Sequence, residues 1–151
     1  MLNYLNELGE LKLAFARCAM TYDLPALLQF AKDYKYCEAD LPIRFATEPY
    51  TRIPIYRDEQ IEIVVICFAS GQTSSVHDHQ GSNCVIRVVR GKVLECLFTR
   101  NGETLHMASH HYLHLDDISG LDGEQIHQLS NLDATGTVLL NFYSPPFKIQ
   151  P

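Results

Sequence analysis

Residues 74–84, SSVHDHQGSNC, set His77 and His79 one residue apart and end, after a short polar turn, on Cys84. In an extended segment successive side chains alternate faces, so both imidazoles would point one way and Asp78 the other. Such a pair can offer two nitrogens to one metal ion, which the intervening aspartate cannot join. Two histidines on a solvated face are the alternative reading of the same spacing. A further group, His106, His110, His111 and His114, could offer a second metal site. It reads more simply as an exposed strand face and is assigned no role.

The elements that would position these residues divide the chain in two. Up to about residue 35 apolar residues recur at helical intervals: Leu5, Leu8, Leu11, Leu13, Phe15 and Met20, then Leu24-Pro25 opening a run through Leu27, Leu28, Phe30 and Ala31. After Tyr50 short β-branched and aromatic runs alternate with Gly, Asn and Asp. The expected strands are 61–69, 84–91, 92–100, 110–116 and 137–144, with hairpin turns at Gly91-Lys92 and Asn101-Gly102. Short strands at near-regular spacing predict a mainly β fold, a small antiparallel barrel or jelly roll, preceded by N-terminal α-helices. A single domain is expected over 1–151, with a helical preface in 1–40 and the β part in 50–147.

Composition narrows the function classes. The 151 residues suit one domain with a core of ordinary size. With 18 acidic and 12 basic residues, a net charge of −6 and no Lys/Arg run, a nucleic-acid surface is not expected. No stretch reaches the roughly 18 uncharged apolar residues of a membrane span, and the N-terminus has no signal-peptide pattern. The five cysteines are odd in number and form no CxxC pair, against a disulfide framework or a structural zinc site. A cytoplasmic protein with reduced thiols is the expectation.

Gly71 and Gly91 extend the histidine stretch to G-x5-H-x-H-x4-C-x6-G. This resembles the first motif of the cupin superfamily, small β-barrels in which a glutamate usually stands where Cys84 stands here. GEQIHQLSN (123–131) is loosely similar to the second cupin motif, which supplies a later histidine, here His127. Three neutral imidazoles without a carboxylate would leave the 2+ charge uncompensated and favour an anionic ligand such as a thiolate.

Together with YTR (50–52) and YSPPF (143–147), these stretches resemble the cysteine dioxygenases, the thiol-oxidising branch of the cupins. The resemblance implies Fe(II) held by His77, His79 and His127, Arg52 on the substrate carboxylate, and Tyr50 and Tyr143 beside the substrate. It implies L-cysteine and O2 as substrates, cysteine sulfinic acid as product and no organic cofactor; a monomer is the expectation. Cys84 and Tyr143 match a pair that some members join by a thioether bond, and Ser144-Pro145 matches a cis bond. Relatives carry a serine and a histidine four and two positions before that tyrosine; here Leu139 and Asn141 stand there. Another small thiol, such as 3-mercaptopropionate, is the alternative substrate, although Arg52 resembles the cysteine-oxidising members. A cupin that binds metal or a small molecule without turnover is the alternative from another class.

Overall fold

The computed structural model describes residues 21–147. Its helix, α1 (Leu24–Asp33), starts where the sequence provides a cap: the Asp23 carboxylate accepts from the Ala26 amide at 2.9 Å, with Pro25 in the first turn. Its end is satisfied from elsewhere, because Arg87 donates to the carbonyls of Ala31 and Tyr34 at 3.0 and 2.8 Å. A single 3-10 turn, Glu38–Asp40, follows. The helical pattern of residues 5–20 lies outside the described residues.

Eight strands follow: β1 (Thr51–Arg57), β2 (Glu62–Phe68), β3 (Asn83–Arg90), β4 (Val93–Asn101), β5 (Thr104–Leu113), β6 (Ile118–Leu121), β7 (Ile126–Ser130) and β8 (Thr137–Ser144). They form two antiparallel sheets, ordered β1-β2-β8-β3-β6 and β5-β4-β7. β2 is buried along its whole length because the five-stranded sheet is covered on both sides. One face carries Ile63, Val65, Cys67, Val85, Leu140 and Phe142 beneath α1, with Leu27 and Ala31 fully buried there. The other face carries Val64, Ile66, Phe68, Cys84, Ile86, Leu139 and Tyr143, joined by Val93, Leu113 and Leu129 of the smaller sheet. The functional side chains lie in this second layer, between the sheets.

The expected β2, β3, β4 and β8 are present; the strand expected at 110–116 starts earlier, at Thr104, and ends at Leu113. β1, β6 and β7 are additions. Asn101-Gly102 does belong to a hairpin turn: Asn101 pairs with Thr104, and Gly102 at φ 64° takes the first central position, as a type II′ turn demands. Gly91-Lys92 is not a hairpin. β3 pairs with β6 and β8 whereas β4 pairs with β5 and β7, so this turn carries the chain from one sheet to the other. Thr137 pins it by donating to the Lys92 carbonyl at 2.7 Å.

Candidate metal centre

The HxH stretch is not a strand. Within it only His77 is bridged, its backbone exchanging two hydrogen bonds with His127 on β7, at 3.0 and 2.9 Å. Upstream, the Ser74 hydroxyl takes the Leu129 amide at 2.9 Å, so residues 74–77 run along β7. Downstream, Gly81 lies directly on Gly123: an added Cβ at Gly123 would come within 2.3 Å of the Gly81 backbone. Held at both ends, the loop brings His77, His79 and His127 together, with ring centroids 4.7–5.0 Å apart. Their candidate ligand nitrogens all lie within 4.8 Å of one another.

The tautomers decide what this cluster can hold. His77 Nδ1 faces the Ser75 carbonyl at 2.7 Å, and a carbonyl only accepts, so Nδ1 carries the proton. His127 Nδ1 faces the Glu95 carboxylate at 2.8 Å and is protonated for the same reason. With both rings neutral, the two Nε2 atoms, 3.2 Å apart, confront each other as lone pairs, a repulsion that a proton or a metal ion between them relieves. Burial disfavours a proton on two of the three rings. Burial, then the neighbouring imidazoles and Arg52, push His79 down to about 2, and burial with His127 lowers His77. His79 Nδ1 is a buried polar atom with no hydrogen-bond partner. Three imidazoles with converging nitrogens suit a divalent transition metal, which binds them in the neutral form.

Glu95, on β4, was not singled out from the sequence. It is fully buried, and its Oε1 accepts from Ser119 Oγ at 2.6 Å and lies 2.9 Å from His111 Nε2, while Oε2 faces His127. Burial pushes its carboxyl up, but hydrogen bonds from His127 and Ser119 and the nearby histidine charges more than reverse this, leaving it below the usual glutamate range. A signal existed, because Glu95 is the lone charge in the apolar run VLECLF. His111, given no role from the sequence, proves to reach a buried carboxylate; His106, His110 and His114 are exposed.

The remaining expected residues gather on the same side. Arg52, on β1 opposite the inward-facing Ile66, donates to Tyr143 Oη at 3.2 Å. Asn141 donates to the same oxygen at 3.0 Å, so strand alternation does bring Leu139, Asn141 and Tyr143 to one face. Cys84 lies directly across from Tyr143 in the β3–β8 register, and both are buried. Burial raises the Cys84 thiol, with Glu95 adding to it. It raises the Tyr143 phenol too, aided by Cys84 and opposed by Arg52 and Asn141. Tyr143 lies 5.7 Å from the His79 ring, and Phe147 packs on both. Tyr50 is half-buried and stacked on Phe68 at 4.6 Å; burial raises its phenol while the Arg52 charge opposes. The Ser144-Pro145 bond is cis. The four described cysteines, Cys37, Cys67, Cys84 and Cys96, are free, and among the described residues no helix is long and apolar enough to cross a membrane.

Two antiparallel sheets around an inward three-histidine cluster define a cupin-type jelly roll. Solved structures agree on the fold: the TT1209 protein from Thermus thermophilus superposes with a TM-score of 0.58 at 23% identity, over 68% of this chain and 90% of that one. A double-stranded β-helix protein from Klebsiella pneumoniae gives 0.57 at 17%, over 75% and 91%. The cysteine dioxygenase type I family profile matches residues 10–150, and the chain belongs to that family. Human cysteine dioxygenase type 1 is 28% identical over 93 residues, covering 58% of this chain and 46% of its own. The zebrafish (Danio rerio) protein is 27% identical over 100 residues, 59% and 47%. The chain thus aligns with about half the length of the curated relatives it matches.

Proposed function

We propose that this protein is a thiol dioxygenase in which His77, His79 and His127 hold Fe(II) and L-cysteine is oxidised by O2 to cysteine sulfinic acid. The observation that carries this reading is the Arg52–Tyr143 pair beside the imidazole cluster: a carboxylate-binding group and a phenol next to a metal-ligating set. Fe(II) would supply a common site at which thiolate and dioxygen meet, replacing an improbable encounter by proximity. Both oxygen atoms end on sulfur, so thiolate and O2 balance to sulfinate with no further reductant.

The chain's own groups fix the substrate around that site. The Arg52 guanidinium presents a planar fork suited to an amino-acid carboxylate. Tyr143 Oη already accepts from two donors, neither of which can take its proton, so its O–H is left to donate to the substrate or its sulfur. Phe68 and Phe147 form an apolar wall behind Tyr50 and Tyr143. Cys84 and Tyr143 are directly opposed across the strands, where Cβ atoms lie about 4.5–5.5 Å apart. We read them as the pair that can close a thioether: the S–H and a ring C–H are lost, an S–C bond forms, and dioxygen takes up the two hydrogens.

The test is oxygen consumption by the Fe(II)-loaded protein with L-cysteine and 3-mercaptopropionate in parallel. Uptake with cysteine that is lost in His127→Ala is the expected result. Preference for mercaptopropionate would keep the chemistry and change the substrate. Bound iron without uptake on either thiol would replace the enzyme with a binding protein.

A further inference from the structure

Glu95 has no part in the reading above, yet it is a fully buried carboxylate one hydrogen bond from the cluster. Burying an ionised group costs several kcal/mol in typical proteins, and a neutral acceptor could have oriented His127 equally well. The charge therefore calls for a reason. Three neutral imidazoles bring none of the negative charge that a carboxylate ligand brings to a divalent ion. We propose that Glu95 is a positioning residue that supplies this charge through His127, and that Ser119 and His111 set how strongly it does so. The proposal rests on the reading that His77, His79 and His127 hold a metal ion.

Two donors and one ion-pair partner divide unevenly over the two carboxylate oxygens. Oε2 takes the His127 Nδ1 proton at 2.8 Å, drawing charge toward Nε2 and raising its strength as a ligand. Oε1 is shared by Ser119 and His111, at 2.6 and 2.9 Å. The Ser119 hydrogen bond and the His111 ion pair each hold negative charge on Oε1 and so weaken the pull of Oε2 on His127. Ser119 comes from β6 and His111 from β5, its side chain 41% exposed. Glu95 thus joins the metal cluster to a group at the surface, directly opposite it in the β4–β5 register.

This arrangement predicts opposite signs, which a purely structural role does not. Glu95→Gln removes the charge. Its affinity for Co(II) and Fe(II), read by chelator competition, is expected to fall about 10–100-fold. The ferric/ferrous midpoint potential should rise, by about 59 mV for each tenfold by which ferric binding falls more than ferrous. Ser119→Ala and His111→Ala each remove a partner from Oε1 and strengthen the bond of Oε2 to His127, so the potential should drop. These two variants also decide the matter should Glu95→Gln fail to fold. Wild-type affinity and potential in Glu95→Gln, or a rise in potential with Ser119→Ala and His111→Ala, overturns the proposal. If the wild-type protein binds neither metal, or His127→Ala binds as tightly, the metal reading itself falls, a distinguishable result.

Discussion

At Tyr143 a single hydroxyl is directed by its neighbours. Oη accepts from Arg52 and Asn141, and the Asn141 Oδ1 atom is buried without a hydrogen-bond partner. An amide here can donate to the phenol but cannot exchange a proton with it near neutral pH. Asn141→Asp reverses the polarity: the carboxylate accepts the phenol proton, turns it from the substrate, and competes for Arg52. Oxygen uptake should then show kcat lower by about 10²-fold or more, the lower end of the 10²–10⁴-fold range of positioned proton donors, with a raised KM for cysteine. In the same samples, intact mass should show less of any species lighter by two hydrogens, the mark of the proposed Cys84–Tyr143 bond. An Asn141→Asp enzyme with wild-type kcat would mean that the phenol already donates to residue 141, and that its O–H is not free for the substrate.

At the scale of elements, the cluster depends on a loop rather than a strand, and Gly123 is where that loop is seated. Its missing side chain admits the Gly81 backbone, whose amide donates to the Gly123 carbonyl at 3.2 Å. Gly123→Ala places a methyl where backbone stands on the other side, which cannot rotate away. A cost of about 1–3 kcal/mol is expected, concentrated on residues 77–82. Metal affinity should therefore fall more than thermal stability, a comparison made by chelator titration beside a thermal melt; equal losses would refute a local effect. The HxH spacing was legible in the sequence because it marks chemistry whatever the backbone does, although residues 77–79 run as a loop and not as an extended segment. β1 escaped notice because Pro54 interrupts its pattern, and β6 because four residues including a glycine carry little periodicity. Sheet partners were illegible: Gly91-Lys92 has hairpin chemistry, but its strands separate into different sheets. Glu95 stands out locally as the lone charge of VLECLF, but its role was illegible for a related reason, since its partners come from β5, β6 and β7 and no local pattern announces such a convergence.

Across the whole molecule the buried histidines couple folding to pH. His79 has a folded-state pKa near 2 against 6.5 for a free imidazole, and His77 is shifted the same way. A depressed folded-state value means that the unfolded chain binds more protons below pH 6.5. The stability contribution is then complete above that value and lost as pH falls toward 2. Each such group removes up to about 1.4 kcal/mol per pH unit in that window. Glu95, held below its usual range, acts with the same sign at lower pH. The metal-free protein should therefore melt several degrees lower at pH 5 than at pH 7, a shift that is reduced in His79→Gln. A bound divalent metal opposes unfolding by mass action, about 2.7 kcal/mol at a hundredfold excess over Kd. The same protons compete for the ligand nitrogens, so the gain in Tm on adding Zn(II) should be large at pH 7 and shrink toward pH 5. A metal-free Tm independent of pH from 7 to 5 would show that these imidazoles are not held neutral by burial, and would remove the argument that their lone pairs await a cation.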